Sequence, residues 1–227
     1  MTVPATVSAT PSDVAVVGQD MTLHCLKSGE VEVIASAGPA STRGSFRCRP
    51  VARIEAPSEV RLILPNGPTE PKIALLDAEG NEYSDVAPTL AVEDGRIATT
   101  SGGNLSPVHV GATNLVVTAG SVRETIPVTV VRKIDSKPLL LNDGARVAYT
   151  LQQGRYEIEV KGRASNGSKF GVTAKWVGGA GCDDVAETQE LTSSCTIENT
   201  GSVIIENPTA LGLGPAFDGF VNIYQVP

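Results

Sequence analysis

Histidine and long apolar runs are scarce in this chain, and each scarcity excludes a class of protein. The 227 residues include two histidines, four Phe, four Tyr and one Trp. Neither His24 nor His109 lies in a Ser or Asp motif, and G-x-S-x-G is absent, so no hydrolase triad is indicated. No run approaches the roughly 18 apolar residues of a membrane-spanning helix. We therefore predict a protein that is not an enzyme, needs no cofactor and has no transmembrane segment.

Positive charge is also in short supply. The formal net charge is -7 and the pI is about 4.9. Nucleic-acid binding needs a basic face that neutralises phosphates, so we predict no nucleic-acid partner. The same charge disfavours an anionic membrane surface.

Four cysteines form two local pairs, and neither pair has the C-x-x-C spacing of zinc or redox sites. We predict the disulfides Cys25–Cys48 and Cys182–Cys195, each worth roughly 2–4 kcal/mol, and hence an oxidising compartment. The alternative is four buried thiols in a cytosolic protein. Met1 is followed directly by Thr-Val-Pro-Ala, so we expect a mature sequence whose signal peptide is not part of this chain.

Alternating side chains and frequent turns predict an all-β fold. In GEVEVIASAG, Val31 and Val33 share one face, opposite Glu30 and Glu32, which is typical of a half-buried strand. The same period occurs in RYEIEVKG and in TIPVTVV. Turn signals recur every 8–15 residues, as in β-sandwiches; three are Glu79-Gly80-Asn81, a hairpin turn at Asp94-Gly95, and Ala119-Gly120-Ser121.

One strand motif occurs twice: ATVSATPSDVAVV at 5–17 and ARIEAPSEVRLIL at 52–64. We predict three domains, a short β unit at 1–50, a longer one at 51–134 and a C-terminal β-sandwich at 135–227, with a linker at 133–138. A unit of about fifty residues buries little surface and needs a cross-link to be stable, which a Cys25–Cys48 disulfide would supply.

Residues 51–134 resemble the bacterial immunoglobulin-like domains of type 2, which are common in surface proteins. The resemblance rests on A-x-I-x-A-P-S-E-V-x-L, I-A-L-L-D-A-E-G-N, L-A-V-E-D-G-R-I-A-T and T-N-L-V-V-T-A-G-S-V-R-E-T-I-P-V-T-V. The Trp-Ser pair of the family's middle strand is replaced by PTLAVEDG. Residues 3–50 resemble the same family with its middle strands removed. The resemblance implies tandem immunoglobulin-like sandwiches.

The third segment, 135–227, carries seven of the nine aromatic residues. Its order A-Y-T-L-x-x-G-R-Y-E-I-E-V-K-G followed by C-T-I-E-N-T-G-S-V-I-I-E-N is similar to the jelly-roll-like sandwiches appended to secreted bacterial proteins, such as pre-peptidase C-terminal domains. The expected fold class is therefore tandem immunoglobulin-like sandwiches followed by a jelly-roll-like sandwich.

Candidate ligand-binding residues are Trp176 and the apolar loop residues Leu211, Leu213 and Phe217. Trp176 shares its parity with Phe170, Val172 and Ala174, which favours a core position; its alternative role is to stack on a sugar, as Tyr149 or Tyr156 could. The stretch 208–220 is unusually apolar for a loop, so it either packs over the end of the sandwich or forms a contact surface.

Acidic residues offer a weaker candidate, a calcium site. Asp77, Glu79 and Asn81 resemble part of a calcium loop, but Gly80 is at the fourth position where an EF-hand needs its Gly at the sixth. Asp183, Asp184, Glu187 and Asp218 could join an irregular site. Glu93 and Asp94 are strand neighbours that point to opposite faces, so they are poor candidates for a glycosidase pair. We expect no metal.

Together these patterns predict a non-catalytic, secreted or cell-surface structural or adhesion protein. It would act through protein–protein contacts or self-assembly, using sheet edges and apolar loops. The alternatives are a carbohydrate-binding accessory region of a secreted enzyme, with a glycan as partner, and a phage or virion surface protein.

Overall fold

A computed structural model describes residues 5–84, 86–167, 171–208 and 214–227. Within these ranges every regular element is a β-strand, and the sheets are sandwich-like, so the all-β prediction is confirmed. The first nine strands are β1 (Ala5–Thr10), β2 (Ala15–Val17), β3 (Leu23–Cys25), β4 (Gly29–Ala37), β5 (Ala40–Cys48), β6 (Arg53–Glu55), β7 (Val60–Leu64), β8 (Ala74–Leu76) and β9 (Thr89–Val92). The second nine are β10 (Ala98–Ser101), β11 (Asn104–Pro107), β12 (Gly111–Ala119), β13 (Val122–Leu141), β14 (Arg146–Ala164), β15 (Val172–Ala180), β16 (Val185–Thr188), β17 (Glu190–Glu206) and β18 (Phe217–Val226).

The chain divides into two compact units that differ from the predicted domains. The first contains the described residues up to Ser58 together with Pro71–Ala91 and Leu115–Ile126. The second contains Glu59–Glu70, Val92–Asn114 and Pro127–Pro227. The predicted boundary at 134/135 falls inside β13, and the three-domain division stays a prediction.

The linker expected at 133–138 is a strand, so that prediction was wrong. Arg132–Leu141 of β13 pairs with β18 in antiparallel register, with an irregularity between Lys133 and Asp135. Pro138 lies within this strand, and proline is tolerated on a strand whose N–H side faces no ladder. On its other side β13 pairs with β7 only at Val128–Arg132, which leaves room for the proline.

The first unit has small sheets and a thin core near its N-terminus. β1, β4 and β5 form an antiparallel sheet in the order β1-β4-β5, and β2 pairs with β3. The buried cluster between them consists of Val14, Ala15, Val31 and Cys48. Val31 is 1% exposed while Glu30 is exposed, as the alternation in GEVEVIASAG predicts. So few buried side chains make the Cys25–Cys48 bridge important to this sheet.

The first unit also contains two short paired strands and the turn end of a longer hairpin. β6 pairs with β8, and β12 and β13 form a hairpin whose turn holds Gly120 at φ 60°, where glycine avoids the cost of a Cβ. This hairpin confirms the predicted turn at Ala119-Gly120-Ser121. The expected hairpin turn at Asp94-Gly95 is a turn, but it joins β9 to β10, which lie in different sheets. That prediction was wrong because a turn signal does not specify which strands pair.

The second unit is dominated by one sheet with strand order β16-β15-β17-β14-β18-β13, and β7 pairs in parallel with β13. Its core includes Ile158, Val160, Ile197, Val203, Ile205 and Phe217. In RYEIEVKG, Tyr156, Ile158 and Val160 are buried on one face, as predicted. The other face of the sheet carries Glu157, Glu159 and Lys161, and it contains the polar network described below.

Candidate functional site

Trp176, the first predicted ligand-binding residue, is buried. It is 6% exposed, and its indole Nε1 donates a hydrogen bond to Ser193 Oγ at 2.7 Å. The Ser193 hydroxyl in turn donates to the backbone oxygen of Asp183, and the Trp176 amide donates to Asp184 Oδ1 at 3.1 Å. These contacts make Trp176 an anchor for the loop between the cysteines 182 and 195, and its ring offers no open face for a sugar.

Of the three apolar residues predicted in the loop 208–220, Phe217 lies in the core, and the other two fall outside the described residues. Phe217 is 1% exposed. A Cβ at Gly162 would lie 2.6 Å from its Cζ, so the missing side chain of Gly162 is what admits the ring. Leu211 and Leu213 lie outside the described residues, and the contact surface predicted for 208–220 therefore stays a prediction.

Both predicted disulfides are present. Cys25 pairs with Cys48, with Cα atoms 5.4 Å apart, and Cys182 pairs with Cys195, with Cα atoms 4.2 Å apart. Gly179 lies against the second bridge, because a Cβ there would overlap both sulfurs.

Of the aromatic residues weighed as sugar platforms, Tyr156 is buried and Tyr149 is half-buried; burial raises the pKa of Tyr149. Phe220 is instead the exposed aromatic ring of this sheet, at 45%, and it lies opposite Pro138 on β13 and Lys161 on β14. We missed Phe220, although a signal was present. In FDGFVNIYQV it has the opposite parity to Phe217, Val221 and Ile223, the core-facing residues.

Beside Phe220, the same face holds a hydrogen-bonded polar network. Asn222 is 7% exposed; its Nδ2 donates to Glu159 Oε2 at 3.1 Å, and its Oδ1 accepts from Ser136 Oγ at 2.7 Å. Lys161 Nζ lies 2.7 Å from Glu159 Oε1. The Lys161 ammonium is the main cause that lowers the pKa of Glu159, against the opposing effect of burial.

Arg61 of β7 covers the far end of this face. Its guanidinium lies 4.9 Å from the centre of the Tyr224 ring and 2.7 Å from Glu157 Oε1. Burial, followed by the negative charge of Glu159, raises the pKa of Tyr224. The Arg61 guanidinium is thus paired with the Glu157 carboxylate and stacked on the Tyr224 ring. These contacts hold β7 against the sheet, and none of them produces an activated base.

Two of the clefts among the described residues could admit a small ligand. One in the second unit has a volume of about 470 Å³ and is lined by Glu59, Arg61, Arg155 and Glu157. These charges cancel, so the cleft does not select an ion of either sign. One in the first unit has a volume of about 660 Å³ and includes His24 in its lining. Nothing else in either lining indicates a reaction.

Asp77, the first residue of the proposed calcium loop, has protein partners. Its Oδ1 accepts from the amides of Glu79 at 3.1 Å and Asn81 at 2.8 Å, and its Oδ2 accepts from Arg49 Nε at 2.9 Å. Burial alone would raise the pKa of Asp77, but the bonds from Arg49 and Asn81 and the positive charge lower it to about 2. Arg49 also stacks on Tyr83 at 5.2 Å, and the Tyr83 hydroxyl donates to the Arg49 carbonyl. This loop is thus a structural turn, with Gly80 at φ 85°.

The remaining chemistry-bearing side chains are dispersed. His109 Nδ1 lies 2.9 Å from the carbonyl oxygen of Arg96. Among the described residues, no group of three or more His, Cys, Asp or Glu side chains is arranged to hold a metal ion. In the same part of the chain, no helix has the length and apolar character that crossing a bilayer requires.

No protein-family model matches the chain, and no curated protein matches it by sequence. Among solved structures, it is similar to domains 4 and 5 of the S-layer protein SbsC, at 17% identity and a TM-score of 0.33, over 56% of this chain and 75% of that one. A longer SbsC structure, domains 4–9, matches over 98% of this chain at 15% identity and a TM-score of 0.34. The CBM51-2 and INT domains of Clostridium perfringens ZmpB match over 77% of this chain at 10% identity and a TM-score of 0.30.

The chain spans 39% of the longer SbsC structure and 48% of the ZmpB structure. At these TM-scores the similarities carry no argument about what the chain does.

Proposed function

We propose that the protein is a non-catalytic, secreted or cell-surface structural module that acts through protein–protein contacts or self-assembly. We further propose that residues 1–134 are built of bacterial immunoglobulin-like units of type 2 and that residues 135–227 form a jelly-roll-like domain. The observation that carries this proposal is the pair of disulfides. One supports a sheet whose buried cluster has four residues, and the other closes the loop anchored by Trp176.

The disulfides support an extracellular placement, because such bonds persist in oxidising compartments and staple small domains that lack a large core. The charged groups support a non-catalytic role. Asp77 and Arg61 link separate segments through ion pairs, and Glu159 accepts a hydrogen bond from Asn222 on the neighbouring strand. Such networks perturb pKa values without catalysing a reaction.

The test is sedimentation of the purified chain over a wide range of concentration. A contact module that self-assembles shows a mass that rises with concentration, and one that meets another protein stays monomeric until that protein is added. Alkylation before and after reduction accompanies it. Alkylation of four thiols in the native chain would contradict the extracellular placement. Turnover of any class of substrate that persists after reduction would contradict the non-catalytic role.

A second candidate function is glycan binding, and Phe220 is the observation that favours it. Its ring is exposed on a sheet face beside Lys161, and carbohydrate-binding surfaces combine a flat ring with neighbouring polar groups. A glycan array with Phe220→Ala tests this candidate. Phe46→Ala is the matched control, because Phe46 is exposed to a similar degree, 51% against 45%. Signal lost in both variants, or absent from the unmodified chain, rejects glycan binding at Phe220.

A further inference from the structure

The strand β5 is a free sheet edge. β4 is the strand with which it pairs among the described residues, over nine positions from Gly29↔Cys48 to Ala37↔Ala40. Seven of the nine residues of β5 are exposed. Its other side therefore presents unpaired backbone groups, which are a template for another strand.

The hairpin turn determines which backbone groups face outward. Gly38, at φ 58°, and Pro39 connect Ala37 to Ala40, and a two-residue turn makes the flanking residues a hydrogen-bonded pair. Because pairs alternate along an antiparallel ladder, the even-numbered residues of β5 bond to β4. The N–H and C=O groups of the odd-numbered residues point to the free side: Ser41, Arg43, Ser45 and Arg47.

Charge distinguishes this edge from the rest of the acidic chain. Arg47 lies directly opposite Glu30, and Arg43 Nη1 lies 3.3 Å from Glu32 Oε1. One face of the sheet thus passes from carboxylates on β4 to guanidinium groups on β5. A strand added beyond β5 would best continue the alternation with carboxylates, since opposite charges across a pair are favourable and like charges are not.

We propose that the free edge of β5 binds an extended acidic segment of a partner protein as an added antiparallel strand, with carboxylates that face Arg43 and Arg47. β4 shows the spacing: Glu30 lies opposite Arg47, and Glu32, two residues further on, reaches Arg43, so the partner's two carboxylates lie two residues apart. An apolar residue next to the first carboxylate would lie opposite Phe46, which is 51% exposed. The added strand would complete a sheet that now has three strands and a small core.

A second copy of β5 is a poorer occupant, because it would place four guanidinium groups on one face of the joined sheet. The inference deepens the proposed function and rests on it, since it names the partner class of a contact module. The two can fail separately. A chain that assembles with concentration but takes up no added strand refutes this inference and leaves the proposed function in place.

The test uses a labelled peptide with the sequence of β4, GEVEVIASA, because that sequence already pairs with β5 on its other side. Binding to the full chain is followed by fluorescence anisotropy, and the protected amides are located by NMR. We expect new protection at Ser41, Arg43, Ser45 and Arg47. The peptide GKVKVIASA should bind about tenfold more weakly, and Arg43→Gln combined with Arg47→Gln should abolish that difference.

Ser45→Pro removes one outward N–H and leaves the β4–β5 ladder intact, so it should weaken binding about tenfold or more, the effect of losing roughly 1.4 kcal/mol. Ser45→Ala is the matched control and should bind like the unmodified chain. Equal binding to Ser45→Pro and Ser45→Ala, or protection of amides elsewhere, overturns the proposal. So does a sedimentation result in which the chain dimerises through β5 without any peptide.

Discussion

Removal of the Cys25–Cys48 disulfide should release the N-terminal sheet while the second unit stays folded. The bridge spans a sequence separation of 23 residues, and the chain-entropy relation gives roughly 3.5 kcal/mol for a loop of this size. The sheet's cluster contains two buried valines, Val14 and Val31, each worth about 1.5–3 kcal/mol when fully buried. The bridge is thus comparable to a large part of the apolar stabilisation of this sheet.

The assay is hydrogen–deuterium exchange of the variant Cys25→Ala/Cys48→Ala. A loss of roughly 3.5 kcal/mol corresponds to a local opening constant about 400-fold larger, so amides of β1, β4 and β5 should exchange faster by about that factor. Amides of β14 and β17 should keep their protection. Cys182→Ala/Cys195→Ala is the matched control and should leave β1, β4 and β5 unchanged. Unaltered exchange of the N-terminal sheet without its bridge would refute the reasoning.

Three further outcomes follow from the contacts above. Trp176→Phe keeps most of the apolar volume but loses the indole hydrogen bond to Ser193. We therefore expect the free energy of unfolding, measured by urea denaturation, to fall by about 1–3 kcal/mol. An equally large fall in a chain that already carries Ser193→Ala would contradict this. Gly179→Ala should lower the melting temperature of the disulfide-bonded chain, because the added Cβ would overlap the sulfurs of Cys182 and Cys195. The shift should be much smaller in a chain in which both of these cysteines are alanine. Equal shifts in the two backgrounds would exclude the clash. The pKa of Asp77 is about 2 in the folded chain against 3.8 for an unperturbed aspartate, so its contribution to stability is present above about pH 4 and is lost as the pH falls from about 4 to 2. The difference in melting temperature between the unmodified chain and Asp77→Asn should therefore shrink over that window, and a constant difference would show that Arg49 does not act through the carboxylate.

Local patterns in the sequence determined the fold class and much of its detail. Burial alternates with period two in RYEIEVKG because successive strand residues face opposite sides of a sheet, so Ile158 could be assigned to the core directly. In GEVEVIASA only Val31 is buried and the residues from Glu32 to Ser36 are half-buried, so there the pattern predicted the strand and one core residue. The cysteine pairs were also predictable, since both are close in sequence and lie at strand or loop ends. The turns at Gly80 and Gly120 were readable because a positive φ selects glycine.

Only the tertiary structure decided which strands pair and which side chains remain accessible. Residues 133–138 carry a proline and charges that suggest a linker, yet β18 pairs with them, and that partner is more than eighty residues away. Parity within the strands indicated which face Trp176 and Phe220 occupy, but only the assembled sheets show that the face of Trp176 is covered and the ring of Phe220 is left exposed. Asp77 is held by Arg49, 28 residues away, and the edge of β5 is free because no described strand covers it. Local sequence specifies the conformation of each segment, whereas pairing and burial depend on the contacts it makes with distant segments.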